Sequence, residues 1–144
     1  MTMETIAIAS DHTGVELKST LAAMLDEAGY AVQDLGTTGT KSVDYPDYAD
    51  RMAEALGQGP ATRGVLICGT GVGIAMAANR HRGLRAALCH DAVTARMGRA
   101  HNAANVLVLG ARIVGAEVAK DCLRVFLDTP FEGGRHAQRV AKMS

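Results

Sequence analysis

The stretch Gly64-Val-Leu-Ile-Cys68-Gly-Thr-Gly-Val-Gly73 decides the fold class of this 144-residue chain. Its apolar first half predicts a strand that is buried on both faces, and the glycines directly after it predict a tight turn into a helix. Four more apolar runs predict strands at 5–10, 31–35, 84–89 and 105–110. Amphipathic segments between them predict helices at 14–28, about 47–56, 74–79, 92–100 and 115–127. The tail at 134–144 is compatible with a last helix or an extended arm.

The regular alternation of strands and helices predicts an α/β protein. Parallel strands need crossover connections, and the helices that provide them cover both faces of the sheet. We therefore predict a three-layer α/β/α sandwich with a Rossmann-like, five-stranded parallel sheet, in a single domain over 1–144. Ligands of such sheets bind beyond the carboxyl ends of the strands, at the switch in strand order. Polar residues follow these predicted strand ends at Asp11-His12, Cys68–Gly73, His90-Asp91 and 110–112.

The glycine loop could serve several ligands, because its N–H groups can converge on a negative oxygen in front of the following helix. A Walker A motif would continue Gly-Lys-Ser/Thr, and a dinucleotide fingerprint would have a glycine where Ile74 stands. Nucleotide binding is therefore disfavoured. For the glycines alone, a structural turn and an anion site remain open as alternatives.

Cys68 lies at the end of the strand, beside these N–H groups. A thiolate in this place can act as a base or a nucleophile, whereas a small buried hydrophobic residue is the ordinary role of a cysteine. A catalytic thiol needs histidine and hydroxyl partners, and the candidates are His12, His101 and Thr70.

Other polar residues each allow two interpretations. The Asp11-His12 pair could cap a helix or face a ligand. The His101-Asn102 pair ends a predicted helix, where the helix dipole alone favours a cationic histidine. Arg135 and Arg139 are four residues apart, so they could form a fork for a phosphate or belong to a solvated basic tail.

Charge and composition exclude several classes of protein. Fifteen basic and fifteen acidic residues give no net charge, so no global field would attract nucleic acid or an anionic membrane. No apolar run has the length of a membrane span, and no signal-peptide pattern opens the sequence. Three widely spaced cysteines do not make a disulfide framework, and a cytoplasmic location is expected. Cys89 and Cys122 are predicted to be core residues.

Metal-binding motifs are not found. The five histidines and three cysteines occur without Cys-x-x-Cys or His-Glu-x-x-His spacing, and these are the spacings that typical zinc sites use. We therefore expect no metal.

Taken together, the motifs resemble those of type B ribose-5-phosphate isomerases and the related galactose-6-phosphate isomerase subunits. Each motif alone is weak, but they occur in the family's order and span nearly the whole chain. The matching segments are Ser10-Asp11-His12, Asp44-Tyr45-Pro46, Cys68–Gly73, Ala77-Ala78-Asn79, His101-Asn102, Gly110-Ala111-Arg112, Val114-Gly115 and Gly133-Gly134-Arg135-His136 with Arg139.

The resemblance implies an aldose–ketose isomerase that uses no cofactor and interconverts ribose 5-phosphate and ribulose 5-phosphate. By this analogy Cys68 is the base that moves a proton between C1 and C2, and Thr70 assists it. The backbone N–H groups of Gly69, Thr70, Gly71, Val72 and Gly73 would hold the enediolate oxygen, which agrees with the physical interpretation of the loop.

The resemblance also implies roles for residues outside the loop. His101 with Asp11 would open the furanose ring, Asn102 would contact sugar hydroxyls and Tyr45 would flank the sugar. The phosphate clamp would consist of His12, Arg112, Arg135 and Arg139. Because the family's site lies between subunits, part of the clamp would come from the partner of a homodimer, or of a tetramer built from dimers.

Several alternatives remain. One branch of the family lacks the loop cysteine and uses a glutamate just after the loop, but Ile74 follows Gly73 here and Cys68 is present. The same chemistry on allose 6-phosphate, galactose 6-phosphate or a tetrulose phosphate is the nearest rival. A non-catalytic sensor of a phosphorylated metabolite would not need Cys68, and a thiol-redox protein would need a second cysteine nearby in sequence.

Overall fold

A computed structural model describes residues 3–144. Five parallel strands form one sheet in the order β2-β1-β3-β5-β4. Their bounds are β1 Thr5–Ser10, β2 Ala31–Asp34, β3 Arg63–Cys68, β4 Ala86–Leu88 and β5 Val106–Gly110. The three central strands β1, β3 and β5 are almost entirely buried, as is typical of a parallel sheet that is covered on both faces.

Six α-helices and one short 3₁₀ turn connect and cover the strands. The bounds are His12–Gly14 for the 3₁₀ turn, α1 Val15–Glu27, α2 Tyr45–Gln58, α3 Val72–Ala78, α4 Ala92–Asn102, α5 Ala116–Asp128 and α6 Arg135–Met143. Helices α1, α4 and α5 share one hydrophobic core with one face of the sheet. Helices α2 and α3 share a second core with the other face, and α6 packs on α4.

The predicted three-layer α/β/α sandwich with five parallel strands is confirmed. Most elements differ from the sequence-based boundaries by one or two residues, and the differences in α3, α4 and β4 bear on the site. Helix α3 begins at Val72, inside the glycine loop, and α4 continues to Asn102. Strand β4 is shorter than predicted, because the backbone N–H of Arg85 donates to the Asn105 side chain and does not continue the strand pairing. The Arg85 side chain donates to the carbonyl of Ala103.

The tail is a helix rather than an extended arm. Its attachment begins before α6, where the N–H of Glu132 donates to the carbonyl of Ala100 at 2.9 Å. This bond uses a carbonyl in the last turn of α4, which has no partner within its own helix. The start of α6 is thereby fixed against the end of α4. Among residues 3–144, no helix combines the length and apolar character of a membrane span.

Candidate active site

The predicted site edge forms where the strand order reverses. Strand β1 pairs with β2 on one side and with β3 on the other, and Ser10 lies opposite Ile67. The Asp11-His12 pair and the Cys68–Gly73 loop therefore leave adjacent strands at the same end of the sheet. This is the place where ligands bind in open α/β sheets.

The Cys68 side chain is held by its own loop. The thiol is 4% exposed, and the N–H of Gly71 donates to its Sγ at 3.2 Å. The N–H of Val72 donates to the hydroxyl of Thr70, also at 3.2 Å. Five loop N–H groups are expected to hold the substrate oxygen. Two of them, those of Gly71 and Val72, instead donate to the side chains of Cys68 and Thr70, the residues expected to carry out the proton transfer. The loop backbone thereby holds both side chains in place.

Two glycines allow the loop to lie so close to the sheet. A β-carbon on Gly110 would overlap the backbone of Thr70, so only glycine lets the end of β5 run beneath the loop. Gly71 has φ +81°, and a β-carbon there would lie 2.5 Å from Leu88 Cδ1. Both the left-handed backbone and the lack of space favour glycine at this position.

Asp11 is buried, with 6% exposure. One of its carboxylate oxygens accepts from the N–H of Thr13 at 3.0 Å and from the Thr13 hydroxyl at 2.6 Å. These bonds are those of the capping role, one of the two interpretations that the sequence left open, and a role of Asp11 toward a ligand stays a prediction. Thr13 was missed by the sequence reasoning, although an aspartate two residues before a threonine is a common capping arrangement.

His12, Arg112 and Tyr45 surround the loop. The Nδ1 of His12 accepts from the N–H of Val43 at 3.2 Å, so a neutral ring carries its proton on Nε2, where it can donate to a ligand. The side chain of Arg112 passes over Gly69, and the ring of Tyr45 lies against Gly73. These three sequence-predicted residues are therefore grouped with Cys68 in one chain.

His101, Asn102, Arg135 and Arg139 lie elsewhere. Helix α4 starts after the carboxyl end of β4 and runs back along the sheet, so its last residues lie near the amino end of β5. The thiol of Cys68 belongs to the core on the α2–α3 face, whereas α4 covers the opposite face. One chain therefore holds two separate groups of predicted site residues, at opposite ends and on opposite faces of the sheet.

A histidine pair marks this second group. The rings of His101 and His136 are stacked, with centroids 4.1 Å apart and planes 10° from parallel. The Oε1 atom of Glu132 lies 3.8 Å from Nε2 of His101 and 3.6 Å from Nε2 of His136. Burial, and then the nearby His101 and Arg135, lower the pKa of His136. Sequence reasoning named His136 only as part of the tail, because nothing in the sequence pairs it with His101.

This cluster is the one group of three His, Cys, Asp or Glu residues within 3–144 whose atoms could share a metal. Parallel rings point their Nε2 lone pairs side by side, whereas a tetrahedral ion needs ligands that converge on one point. Arg135 and Arg139, both on α6, add positive charge nearby. The arrangement thus suits a cation poorly, and the expectation of no metal stays a prediction.

The other two cysteines are core residues, as predicted. Cys89 is 1% exposed and Cys122 is fully buried. Burial raises the pKa of the Cys89 thiol to about 11 and also raises that of Cys122. Neither thiol forms a disulfide.

Apolar side chains are exposed beside the Cys68 loop. Val72 is 47% exposed, Met76 is 70% exposed and Tyr45 is 39% exposed. Val72 and Met76 are four residues apart on α3, so they share one face of that helix. An apolar strip next to a polar site is the kind of surface that contacts another protein.

Known proteins resemble the chain over most of its length. A sequence model of the ribose/galactose isomerase family matches residues 6–143. Ribose-5-phosphate isomerase B of Escherichia coli K12 is 46% identical over 138 residues, which cover 96% of this chain and 93% of that protein. D-erythrulose-4-phosphate isomerase of Pectobacterium atrosepticum is 42% identical over 143 residues, or 98% of this chain and 93% of that one. The solved structure of Clostridium thermocellum ribose-5-phosphate isomerase B has a TM-score of 0.95 and 50% identity, and covers 96% of this chain and 94% of its own.

Proposed function

Because this chain belongs to the ribose/galactose isomerase family and is an aldose–ketose isomerase of sugar phosphates, we propose that it interconverts ribose 5-phosphate and ribulose 5-phosphate. The observation that carries the proposal is the Cys68 loop. A buried thiol receives an N–H donor, and its loop lies at the strand-order switch beside His12 and Arg112. A non-catalytic sensor would need the cationic residues but no such thiol.

The chemical step assigned to Cys68 is a proton transfer between neighbouring carbons. The thiolate takes the proton from C2 of the open-chain aldose, the C–H electron pair forms the C1–C2 double bond, and the carbonyl electrons move to O1. The resulting enediolate oxygen is stabilised by loop N–H groups that are not bonded to Sγ or to Thr70. The proton then returns from the thiol to C1, while the proton of the O2 hydroxyl passes to O1, so that C2 becomes the ketone carbon and O1 a hydroxyl.

Ring opening precedes this step, and we assign it to His101. The furanose of ribose 5-phosphate opens when a base takes the proton from the C1 hydroxyl and an acid protonates the ring oxygen. Asp11 assists in this assignment, Asn102 binds sugar hydroxyls and Tyr45 flanks the sugar. His101 and Asn102 cannot reach the Cys68 loop of their own chain, which is why a second chain has to supply them.

A homodimer with shared sites follows from this separation. The loop of one chain, with Asp11, His12, Tyr45 and Arg112, would meet the ends of α4 and α6 of its partner. Arg135 and Arg139 would then complete the phosphate clamp across the interface. The exposed apolar face of α3 and Tyr45 supports such a contact, because it lies next to the loop that needs the partner.

Other sugar phosphates are alternatives to ribose 5-phosphate as the substrate. The 42% identity to D-erythrulose-4-phosphate isomerase keeps a tetrulose phosphate open, and allose 6-phosphate and galactose 6-phosphate are further candidates. Ribose 5-phosphate is favoured by the 46–50% identity to ribose-5-phosphate isomerases B.

The test is a panel assay with the purified protein. Initial rates would be measured with ribose 5-phosphate, allose 6-phosphate, galactose 6-phosphate and erythrose 4-phosphate, with and without a chelator. We expect the highest kcat/KM for ribose 5-phosphate and no effect of the chelator. A higher kcat/KM for another sugar phosphate would reassign the substrate, and a loss of activity with chelator would contradict metal-free catalysis.

A further inference from the structure

Two residues that face the ring of His101, Glu132 and His136, have no role in the reaction proposed above. His136 is on α6, and its side chain is 9% exposed, whereas that of His101 is 37% exposed. The buried ring therefore forms a fixed surface on which the more exposed ring lies, 4.1 Å away and nearly parallel. Glu132 is in the segment before α6, which its own N–H attaches to Ala100 of α4.

We propose that Glu132 and His136 are positioning residues for His101, and this inference rests on the proposed role of His101 in ring opening. His136 sets the plane of the His101 ring, and the Glu132 carboxylate sets which nitrogen of that ring carries the proton. Neither residue needs to touch the sugar.

Stacking matters because His101 is in the last turn of its helix, where the side chain is otherwise free to rotate. An acid or base has to be held in a productive orientation, and the loss of orientation costs part of the rate that the group supplies. The His136 ring restricts His101 to one plane without occupying either of its nitrogens.

Glu132 acts on the nitrogens. Its Oε1 lies on the Nε2 side of both rings, at 3.8 Å and 3.6 Å. These distances exceed a direct hydrogen bond, so the carboxylate acts through its charge or through a bridging water. A carboxylate beside Nε2 favours the tautomer that is protonated there, which leaves the lone pair of Nδ1 available to take a proton. The same carboxylate also faces His136, where burial outweighs the charge of Glu132 and lowers the pKa.

A double-mutant cycle tests the carboxylate. Steady-state kinetics with ribose 5-phosphate would be measured for the intact protein, Glu132→Gln, His101→Ala and the double variant. Complete removal of a general acid–base commonly costs about 10²-fold or more in rate, so we expect a loss of about tenfold in kcat for Glu132→Gln alone. In the His101→Ala background the same change should have no further effect, because there is no imidazole left to position.

The stack is tested by His136→Ala and His136→Phe. Phenylalanine keeps a flat ring beneath His101, so it should restore most of the kcat that alanine loses. Equal losses in both variants would rule out the stacking role. Glu117→Gln is the matched control, because Glu117 faces Lys120 at the same 3.8 Å on an exposed part of α5; its kcat should not change. Thermal unfolding of every variant would identify loss of folded protein.

Two results would distinguish a failure of the His101 role from a failure of the Glu132 role. If His101→Ala retains near-normal activity, its proposed catalytic role is wrong and the positioning role fails with it. If His101→Ala is impaired, two outcomes would refute only the positioning role of Glu132. In the first, the kcat of Glu132→Gln stays within twofold of that of the intact protein. In the second, the losses of kcat in Glu132→Gln and His101→Ala multiply in the double variant. Erythrose 4-phosphate, which cannot form a furanose ring, gives a second measure: Glu132→Gln should lower kcat/KM for ribose 5-phosphate more than for this substrate.

Discussion

Mixing two inactive variants should restore activity if the active site is shared between chains. Cys68→Ala removes the proposed base and leaves the α4–α6 group intact, while His101→Ala does the reverse. His101 comes nine residues after Ala92, the first residue of α4, and at 1.5 Å per residue this carries it about 14 Å back along the sheet from the helix start near the site edge. The two side chains also lie on opposite faces of the sheet. A single chain therefore cannot bring them together.

The expected recovery follows from random pairing. A site is intact when its loop comes from a chain with Cys68 and its helix ends come from a chain with His101. With equal amounts of the two variants each condition holds half of the time, so about a quarter of the sites are intact. Each parent variant should retain about a hundredth of the activity or less, as expected for loss of a general acid–base. The mixture should thus exceed either parent by about 25-fold.

The assay compares co-refolded with separately refolded protein. The two variants would be unfolded together, refolded and assayed with ribose 5-phosphate, and the same variants refolded apart and then combined would be the reference. A mixture of Cys68→Ala with Thr70→Ala is the control, because both changes affect the same half of the site and no pairing restores it. Activity of the co-refolded pair no higher than the sum of its parents would refute the shared site.

Three further predictions concern single residues. Cys68→Ser should abolish isomerisation, since a hydroxyl is a far weaker base at neutral pH, while calorimetric binding of ribose 5-phosphate should persist; near-normal turnover would remove Cys68 as the base. Gly110→Ala should destabilise the fold by about 1–3 kcal/mol in urea unfolding, because its β-carbon meets the Thr70 backbone, as in other overpacked sites; an unchanged midpoint would show that the loop can move aside. The lowered pKa of His136 means that the unfolded chain binds this proton more readily. The contribution of His136 to stability is therefore present above pH 6.5 and is lost as pH falls from 6.5 through the lower folded pKa. Over this pH range, the free energy of unfolding should fall less for His136→Phe than for the intact protein.

Much of the fold was predictable because it depends on short-range patterns. The apolar run that ends at Cys68 predicted a buried strand, and the glycines after it predicted a turn into a helix, so the position of the loop at a strand end followed directly. Helix ends were less predictable, because backbone bonds to distant residues fix them. The tail is an example: residues 134–144 are helical, and the bond from Glu132 to Ala100 fixes where that helix packs.

The sequence by itself determined the α/β architecture and the residue types of the site, including a thiol in front of a glycine turn. Periodicity and local turn chemistry are properties of neighbouring residues, and these can be read along the chain. Only the tertiary structure decided which of those residues meet. It groups Asp11, His12 and Arg112 with Cys68, because β1 and β5 both lie beside β3, and the start of α2 brings Tyr45 against the same loop. It carries His101 to the opposite end and face. There His101 stacks on His136, 35 positions further along the chain. Contacts between residues so distant in sequence depend on how helices pack, and no local pattern encodes them.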